Sequence, residues 1–212
     1  MSELVLYHAL PSRSITTHWM LEEIGVPYRI ELLSLEAEEH KRPEYLAVNP
    51  LGKVPALKHG ATVVTETAAI CAYLAEAFPE AGLDIPVGSP DRGAYLRWLF
   101  FAPVTLEPAV LWRTLDASKQ SAEYQPFADL DAVAAVVARA LCGREFIVGD
   151  QFSAADVMLG AAIMWGTRLM PVMPKHPELL EYWSRLEQRP AWQRSFGEDQ
   201  KIMQAKAAQG GP

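Results

Sequence analysis

The chain has 212 residues, half of them hydrophobic and 21% charged, which is the balance of a folded globular protein with a substantial core. Its formal net charge of −7 argues against a nucleic-acid partner, because domains that bind nucleic acid are usually basic. The N-terminal segment has no basic region, so we expect no signal peptide, and the longest apolar run, residues 157–166, is too short to span a bilayer. These features predict a cytoplasmic protein without a membrane partner.

The first part of the chain alternates between strand and helix patterns. Residues 3–7 have the pattern of a buried strand, a helical pattern then runs to Gly25, and residues 28–33 alternate as a second strand. The next elements are a β-hairpin and a helix, at residues 54–58, 62–65 and 66–78. This order predicts a thioredoxin-like α/β domain over residues 1–79, although the C-x-x-C motif of a disulfide exchanger is missing from the sequence.

The second part of the chain follows a break in composition. Residues 79–90 contain three prolines and two glycines, and we assign residues 80–90 to a linker. No convincing strand pattern follows, so we predict an all-α domain over residues 91–212, with a disordered tail from about residue 204. The predicted helices cover residues 90–115, 122–142, 154–169, 177–188 and 191–197.

Pro55 stands at the start of a predicted strand, in the stretch NPLGKVPAL at residues 49–57. Proline cannot donate a ladder hydrogen bond, and an X–Pro bond adopts the cis form at modest cost. A cis bond would turn the N–H and C=O of Val54 away from the sheet, where they can pair with an extended peptide ligand. A proline that merely ends an edge strand is an equally good interpretation of this window alone.

Glu66 and Thr67 open the helix after the hairpin. The N–H of Thr67 lies where a helix N-terminus binds anions, and Glu66 adds a carboxylate beside it. The pair suits a zwitterion with one ammonium and one carboxylate. Taken alone, the two residues are better explained as an ordinary helix start.

Several motifs together resemble the cytosolic glutathione S-transferases, bacterial members of the theta-like, zeta-like or phi-like serine type included. The matching stretches, in order along nearly the whole chain, are LYHALPSRS, EEHKRPEYLAVNPLGKVPAL, TET and FSAADVMLG. The resemblance implies a thioredoxin-like domain followed by an all-α domain, a homodimer active in detoxification, and glutathione as a substrate with no metal. It also implies attack of a glutathione thiolate on a hydrophobic electrophile.

The resemblance also implies roles for individual residues. Val54 would hold the cysteinyl backbone of glutathione. Glu66 and Thr67 would hold its γ-glutamyl end, and His40 and Lys53 its glycyl carboxylate. A solvated charged loop is the alternative interpretation for the basic residues.

The catalytic hydroxyl implied by the resemblance is that of Ser12, in the loop after the first strand. Arg13 falls where beta-like bacterial relatives carry a cysteine, and we include it among the glutathione-binding residues. Ser14 is the competitor of Ser12, but we expect it to be the N-cap of the helix that starts at Ile15. The serine would donate a hydrogen bond to the glutathione sulfur and would not attack the substrate itself.

Other polar and sulfur-containing residues are assigned to folding. We expect Cys71 and Cys142 to be buried inside helices, and Asp156 to complete a capping box with Ser153. An aromatic and aliphatic stripe can serve the core, a dimer interface or the electrophile pocket; its members are Trp98, Phe100, Phe101, Val104 and Trp112.

Two alternatives to the transferase remain open from the sequence. One is a non-catalytic protein that binds glutathione or hydrophobic ligands. The other is a glutathione-dependent peroxidase, dehalogenase or isomerase. The sequence names neither the physiological electrophile nor the class within the family.

Overall fold

The computed structural model of the protein describes residues 3–115 and 128–208. By its contacts the chain divides into two compact units. The first unit contains Met1–Gly82 and Gln188–Pro212, and the second contains Leu83–Glu187. The division falls inside the segment predicted as a linker. The C-terminal stretch groups with the first unit, although the sequence analysis assigned it to the helical domain.

The first unit contains a four-stranded mixed sheet in the order β2-β1-β3-β4. The strands are β1 (Leu4–His8), β2 (Arg29–Leu32), β3 (Ala56–His59) and β4 (Thr62–Thr65). β1 runs parallel to β2 and antiparallel to β3, and β3 is antiparallel to β4. A parallel pair needs a crossover, and here it is the helix α1 (Ser14–Ile24). The predicted strand–helix–strand and hairpin order is therefore confirmed.

Two further helices complete the thioredoxin-like arrangement. The short α2 (Pro43–Leu46) follows a 3-10 turn at Glu39–Lys41, and α3 (Thr67–Ala77) follows β4 directly. α1 and α3 contact each other and the sheet. Their buried residues meet the buried positions of β1 and β3 in the core of the unit, with Trp19, Ile70, Leu6 and Leu57 fully buried.

The second unit is helical, as the sequence predicts. It contains α4 (Arg92–Phe101), α5 (Glu107–Thr114), α6 (Leu130–Leu141), α7 (Ala154–Met164) and α8 (Pro177–Leu186). Two π-helical turns, Ala102–Leu106 and Trp165–Leu169, follow α4 and α7. The predicted helix over residues 122–142 begins only at Leu130 among the described residues, where Asp129 is its N-cap, and residues 122–127 lie outside the described part. α7 is buried along its whole length, with α4 and α8 packed against it.

The last helix, α9 (Pro190–Ala208), is longer than the predicted segment 191–197 and lies in the first unit against α1. Residues 204–208, predicted as part of a disordered tail, are helical, while 209–212 lie outside the described residues. The apolar periodicity does not extend past residue 197 because the next buried position of this helix is the polar Asp199. Sequence periodicity therefore ends before the helix does.

The two cysteines differ in burial. Cys71 is fully buried in α3, as predicted, and burial raises the pKa of its thiol to about 12. Cys142 is exposed, so the prediction that it is buried was wrong. The buried face of α6 ends at Leu141, and Cys142 follows outside the helix as its C-cap. No helix in the described part of the chain is both long and apolar enough to cross a membrane.

Candidate active site

The register of the sheet brings three predicted site segments, the Ser12 loop, Val54 and Glu66, to the same edge of the sheet, where β1 and β4 end and β3 begins. Tyr7 pairs with Ala56, and Ala56 pairs with Thr65, so these three residues form one row across β1, β3 and β4. Beyond that row, β1 continues into the Ser12 loop and β4 continues into Glu66. Val54 lies just before β3, on the same side of the row. Because neighbouring strands lie about 5 Å apart, these segments are neighbours in space.

Val54 has the backbone geometry that the sequence predicts. The Val54–Pro55 bond is cis, and β3 begins only at Ala56. Among the described residues, neither the N–H nor the C=O of Val54 takes part in a backbone hydrogen bond. Its side chain packs against a small core cluster that contains Tyr45 and Ala56. The backbone of Val54 is thus available to an extended ligand while its side chain is anchored.

Two side chains that the sequence analysis missed hold the neighbouring peptide. The Lys53 carbonyl accepts hydrogen bonds from the Tyr45 hydroxyl at 2.5 Å and from Asn49 Nδ2 at 2.7 Å. Burial raises the pKa of Tyr45 to about 12, so the phenol stays protonated and remains a donor. The asparagine of the NPLGKVP stretch was the available signal, since a buried amide needs partners.

Gly52 fixes the position of the His40 turn. Its φ is +58°, and a Cβ here would lie 2.9 Å from the backbone carbonyl oxygen of His40. Only glycine fits both demands. This close approach brings His40 and Lys53 to the same part of the site. His40 Nδ1 is buried without a hydrogen-bond partner among the described residues, and the Lys53 side chain is exposed.

The start of α3 has an unusual backbone. Glu66 is the N-cap, with φ +69° and ψ +120°, a conformation that favours glycine. Its exposed side chain makes no capping hydrogen bond to the helix. Strained non-glycine residues cluster at functional sites. The first N–H groups of α3, beginning with Thr67, therefore face a position that the side chain of Glu66 does not fill.

The Ser12 loop is closed by a small hydroxyl network. Ser14 is fully buried, accepts from the Ala9 N–H at 3.1 Å and donates to the Ala9 carbonyl at 3.0 Å. The Ser12 and Ser14 hydroxyl oxygens lie 2.6 Å apart, and Ser12 Oγ accepts from the Ser14 N–H at 3.1 Å. A second cis bond, Leu10–Pro11, lies in this loop and was not predicted.

The expected role of Ser14 as an N-cap was wrong. The helix starts at Ser14 itself, and Arg13 occupies the N-cap position without a side-chain cap. The Ser14 hydroxyl is turned back toward Ala9, so it cannot reach the later N–H groups of α1. Ser12, half-buried, is the hydroxyl of the pair that lies nearer to solvent.

Asp156 serves the fold, as predicted. It forms the capping box of α7 with Ser153, and both residues are fully buried. Among the predicted aromatic stripe, Trp98 is buried in the second unit, whereas Phe100 and Val104 are 43% and 66% exposed. The stripe is therefore divided between core and surface.

Comparison with known proteins identifies the family. Residues 2–76 match the family model for the glutathione S-transferase N-terminal domain, and residues 99–190 match the model for the C-terminal domain. Glutathione S-transferase 1 from Zea mays is 30% identical over 92% of this chain and 96% of its own length. Glutathione S-transferase A from Pleuronectes platessa is 28% identical, covering 84% of this chain and 83% of its own.

Solved structures agree with the sequence matches. A glutathione transferase from Methylococcus capsulatus superposes with a TM-score of 0.78 at 31% identity, covering 92% of this chain and 98% of its own. A sphingomonad glutathione S-transferase complexed with glutathione gives a TM-score of 0.75 at 28% identity, with the same coverage of 92% and 98%. The chain therefore belongs to the glutathione S-transferase family.

Proposed function

We propose that this protein, a glutathione transferase, binds glutathione along the edge of its sheet and uses Ser12 to stabilise the thiolate. The observation that carries the proposal is the sheet register, which gathers the Ser12 loop, Val54 and Glu66 at one edge. The thiolate then attacks a hydrophobic electrophile. The matched relatives named above are transferases, which supports this reaction over a non-catalytic binder, a peroxidase, a dehalogenase or an isomerase.

Each part of the tripeptide has a proposed partner. The free backbone of Val54 pairs with the cysteinyl residue. The carboxylate of Glu66 binds the γ-glutamyl ammonium, and the N–H of Thr67 binds the adjacent carboxylate. His40, through its unpartnered Nδ1, and Lys53 hold the glycyl carboxylate.

The hydroxyl network decides whether Ser12 can donate to sulfur. Each serine has one proton, and in one arrangement Ser14 donates to the Ala9 carbonyl while Ser12 donates to Ser14. The Ser12 proton is then used inside the loop. In the other arrangement the Ser14 proton leaves the Ala9 carbonyl and is donated to Ser12 Oγ, so that the Ser12 proton is free to point at the glutathione sulfur. We propose that a bound thiolate selects this second arrangement, because a charged acceptor forms the stronger hydrogen bond.

Thiolate formation accounts for only a limited part of the rate acceleration. A thiol with a pKa of about 8.5 is roughly 3% ionised at pH 7, and a drop of about two units raises the thiolate fraction roughly 25-fold. Part of this gain is lost, because a less basic thiolate is a weaker nucleophile. Positioning of the electrophile must supply the rest of the acceleration. Neither contribution requires a metal ion.

The test is the pKa of bound glutathione in Ser12→Ala. A hydrogen bond to a charged group contributes about 1.5–3 kcal/mol, so the thiol pKa should rise by about one to two units. Affinity for glutathione should stay nearly unchanged, because the tripeptide is held mainly by its ends. Ultraviolet titration of the thiolate measures the pKa, and equilibrium binding measures the affinity.

Ser14→Ala is the matched control. Loss of the buried hydroxyl should reduce the free energy of unfolding by about 1–3 kcal/mol, because both polar groups of the Ala9 backbone lose their partner. Its effect on the thiol pKa should be smaller than that of Ser12→Ala. If Ser14→Ala shifts the pKa and Ser12→Ala does not, the catalytic hydroxyl is Ser14. If neither does, Arg13 or backbone N–H groups stabilise the thiolate.

We also propose a cytoplasmic homodimer that detoxifies hydrophobic electrophiles, as the family resemblance implies. The chain has a mass of 23.5 kDa. Sedimentation at micromolar concentration should give a species of twice that mass. A single 23.5 kDa species would refute the dimer.

A further inference from the structure

Three fully buried polar side chains meet inside the first unit: His8 at the end of β1, His18 in α1 and Asp199 in α9. His8 Nε2 lies 3.1 Å and His18 Nδ1 lies 2.8 Å from the same oxygen, Asp199 Oδ1. The partners are 191 and 181 residues apart in sequence. Nothing in the proposed function uses this cluster, which we call the His–Asp–His cluster.

The geometry fixes which atoms carry protons. Both imidazoles donate to the carboxylate, so His8 has its proton on Nε2 and His18 has one on Nδ1. Burial alone would raise the pKa of Asp199, but hydrogen bonds from His18 and His8 hold it below its ordinary value. The other groups beside His18 are Glu198, whose Oε2 is 3.4 Å from Nε2, and the Tyr28 ring at 5.9 Å. Asp199 is thus an ionised acceptor for two donors.

The two histidines flank the Ser12 loop. His8 directly precedes Ala9, whose N–H and C=O are both held by Ser14. His18 lies one helical turn after Ser14 in α1. A single carboxylate oxygen therefore ties together the strand that enters the loop and the helix that leaves it.

Asp199 itself is held in place by the docking of α9 on α1. Trp192 packs edge-to-face on Trp19 with ring centroids 5.2 Å apart. Arg189 forms a two-pronged ion pair with Glu23, with distances of 2.6 and 2.9 Å. These contacts anchor the helix without touching His8 or the Ser12 loop.

We propose that Asp199 is a positioning residue for the transferase reaction, holding the Ser12 loop in its productive geometry through His8 and His18. This role rests on the proposed function of Ser12. A catalytic hydroxyl loses its effect when it is displaced by a fraction of an ångström, so rigid ends of the loop matter for the reaction. The C-terminal helix is then part of the catalytic architecture and not only of the fold.

The experiment uses Asp199→Asn in the full-length protein. The amide keeps the size of the side chain but offers a neutral acceptor, and such hydrogen bonds are roughly half as strong as charged ones. The pKa of bound glutathione should rise by about half a unit to one unit, while affinity for glutathione changes by less than about twofold. Turnover per KM should fall by about two- to fivefold at pH 6.5, which is near the pKa expected for the bound thiol, and the deficit should vanish at a pH well above that pKa.

Arg189→Gln is the matched control, because it weakens the docking of α9 without touching the His–Asp–His cluster. At a similar loss of melting temperature it should leave the thiol pKa unchanged. An equal shift in both variants would overturn the proposal, since the shift would then follow from general loosening. A fall of the thiol pKa in Asp199→Asn would also overturn it, because loss of a negative charge acting through space favours the thiolate.

If Asp199→Asn folds poorly, a second pair of variants, both at His8, tests the same proposal. His8→Gln can place an amide donor near the position of Nε2 and should behave like the wild type. His8→Leu removes the donor and should raise the thiol pKa. If neither variant shifts it, Asp199 has only a structural role.

The Ser12→Ala background separates the two proposals. If Ser12→Ala alone leaves the thiol pKa unchanged, the assignment of Ser12 fails. If Ser12→Ala raises it but Asp199→Asn does not, only the positioning role fails. If both hold, adding Asp199→Asn to Ser12→Ala should give little further shift.

Discussion

Two helix starts, one in each unit, use a carboxylate in opposite ways. At the start of α7, Asp156 accepts four hydrogen bonds: from the N–H of Ile147 and the hydroxyl of Tyr182 on one oxygen, and from the N–H and hydroxyl of Ser153 on the other. At the start of α3, the side chain of Glu66 is exposed and makes no capping hydrogen bond to the helix.

The backbone follows the same division. Ser153 has an extended conformation, with φ −143° and ψ 174°, that any residue adopts easily. Glu66 is held at φ +69°, which costs a non-glycine residue free energy. We therefore propose that the carboxylate of Asp156 stabilises the fold, whereas that of Glu66 binds a ligand at some cost in stability. Three variants and one control variant test this division.

Removal of the capping carboxylate should have the largest effect. Asp156→Ala leaves four buried donors without an acceptor, so we expect the free energy of unfolding to fall by about 4 kcal/mol. Urea denaturation measures the loss. Asp129, an exposed N-cap of α6 that accepts from the N–H groups of Asp131 and Ala132, is the control. Asp129→Ala should cost only about 1 kcal/mol. Equal losses would mean that burial does not distinguish the two caps.

Removal of the Glu66 charge should affect binding and leave the fold intact. Glu66→Gln keeps the size and the backbone but loses the ionic partner of the γ-glutamyl ammonium. Since a hydrogen bond to a charged group contributes about 1.5–3 kcal/mol, glutathione should bind about ten- to a hundredfold more weakly. Calorimetric titration measures the affinity. Unchanged affinity would contradict the assignment of Glu66.

The smallest effect is expected for Glu66→Gly, which should stabilise the fold, whereas Asp156→Ala destabilises it. Glu66→Gly removes the carboxylate and also relieves the positive φ, so the free energy of unfolding should rise by about 1 kcal/mol while glutathione binding stays as weak as in Glu66→Gln. Thermal unfolding of the two variants side by side isolates the backbone contribution. A glycine variant less stable than the glutamine variant would show that the backbone at this position carries no strain.

Local signals accounted for much of the fold. Strand and helix periodicity predicted β1, α1 and the β3–β4 hairpin, because each pattern is completed within a few residues. The cis bond before Pro55 followed from the chemistry of proline, and the Ser153–Asp156 capping box from residues three positions apart. The sites at Val54, Glu66 and Thr67 were named from the same kind of short motif, and they remain predictions until binding is measured.

The errors and omissions arose where packing, and not the local sequence pattern, decides the outcome. Ser14 was expected to cap α1, but Ala9 holds its hydroxyl across the loop. Cys142 was expected to be buried, but the packed face of α6 ends one residue before it. Asn49 stands in the NPLGKVPAL stretch, but only the fold shows that it and Tyr45 donate hydrogen bonds to the Lys53 carbonyl. In each case the local pattern allowed several outcomes, and packing selected one.

The sequence alone determined the order of elements, the family motif and the chemistry available at the sheet edge, because periodicity, proline and capping act over neighbouring residues. Tertiary structure alone decided the course of α9 and the meeting of His8, His18 and Asp199, which are as much as 191 residues apart. A buried carboxylate needs donors, but the sequence cannot say which ones, since contact between distant elements is set by the packing of the whole unit.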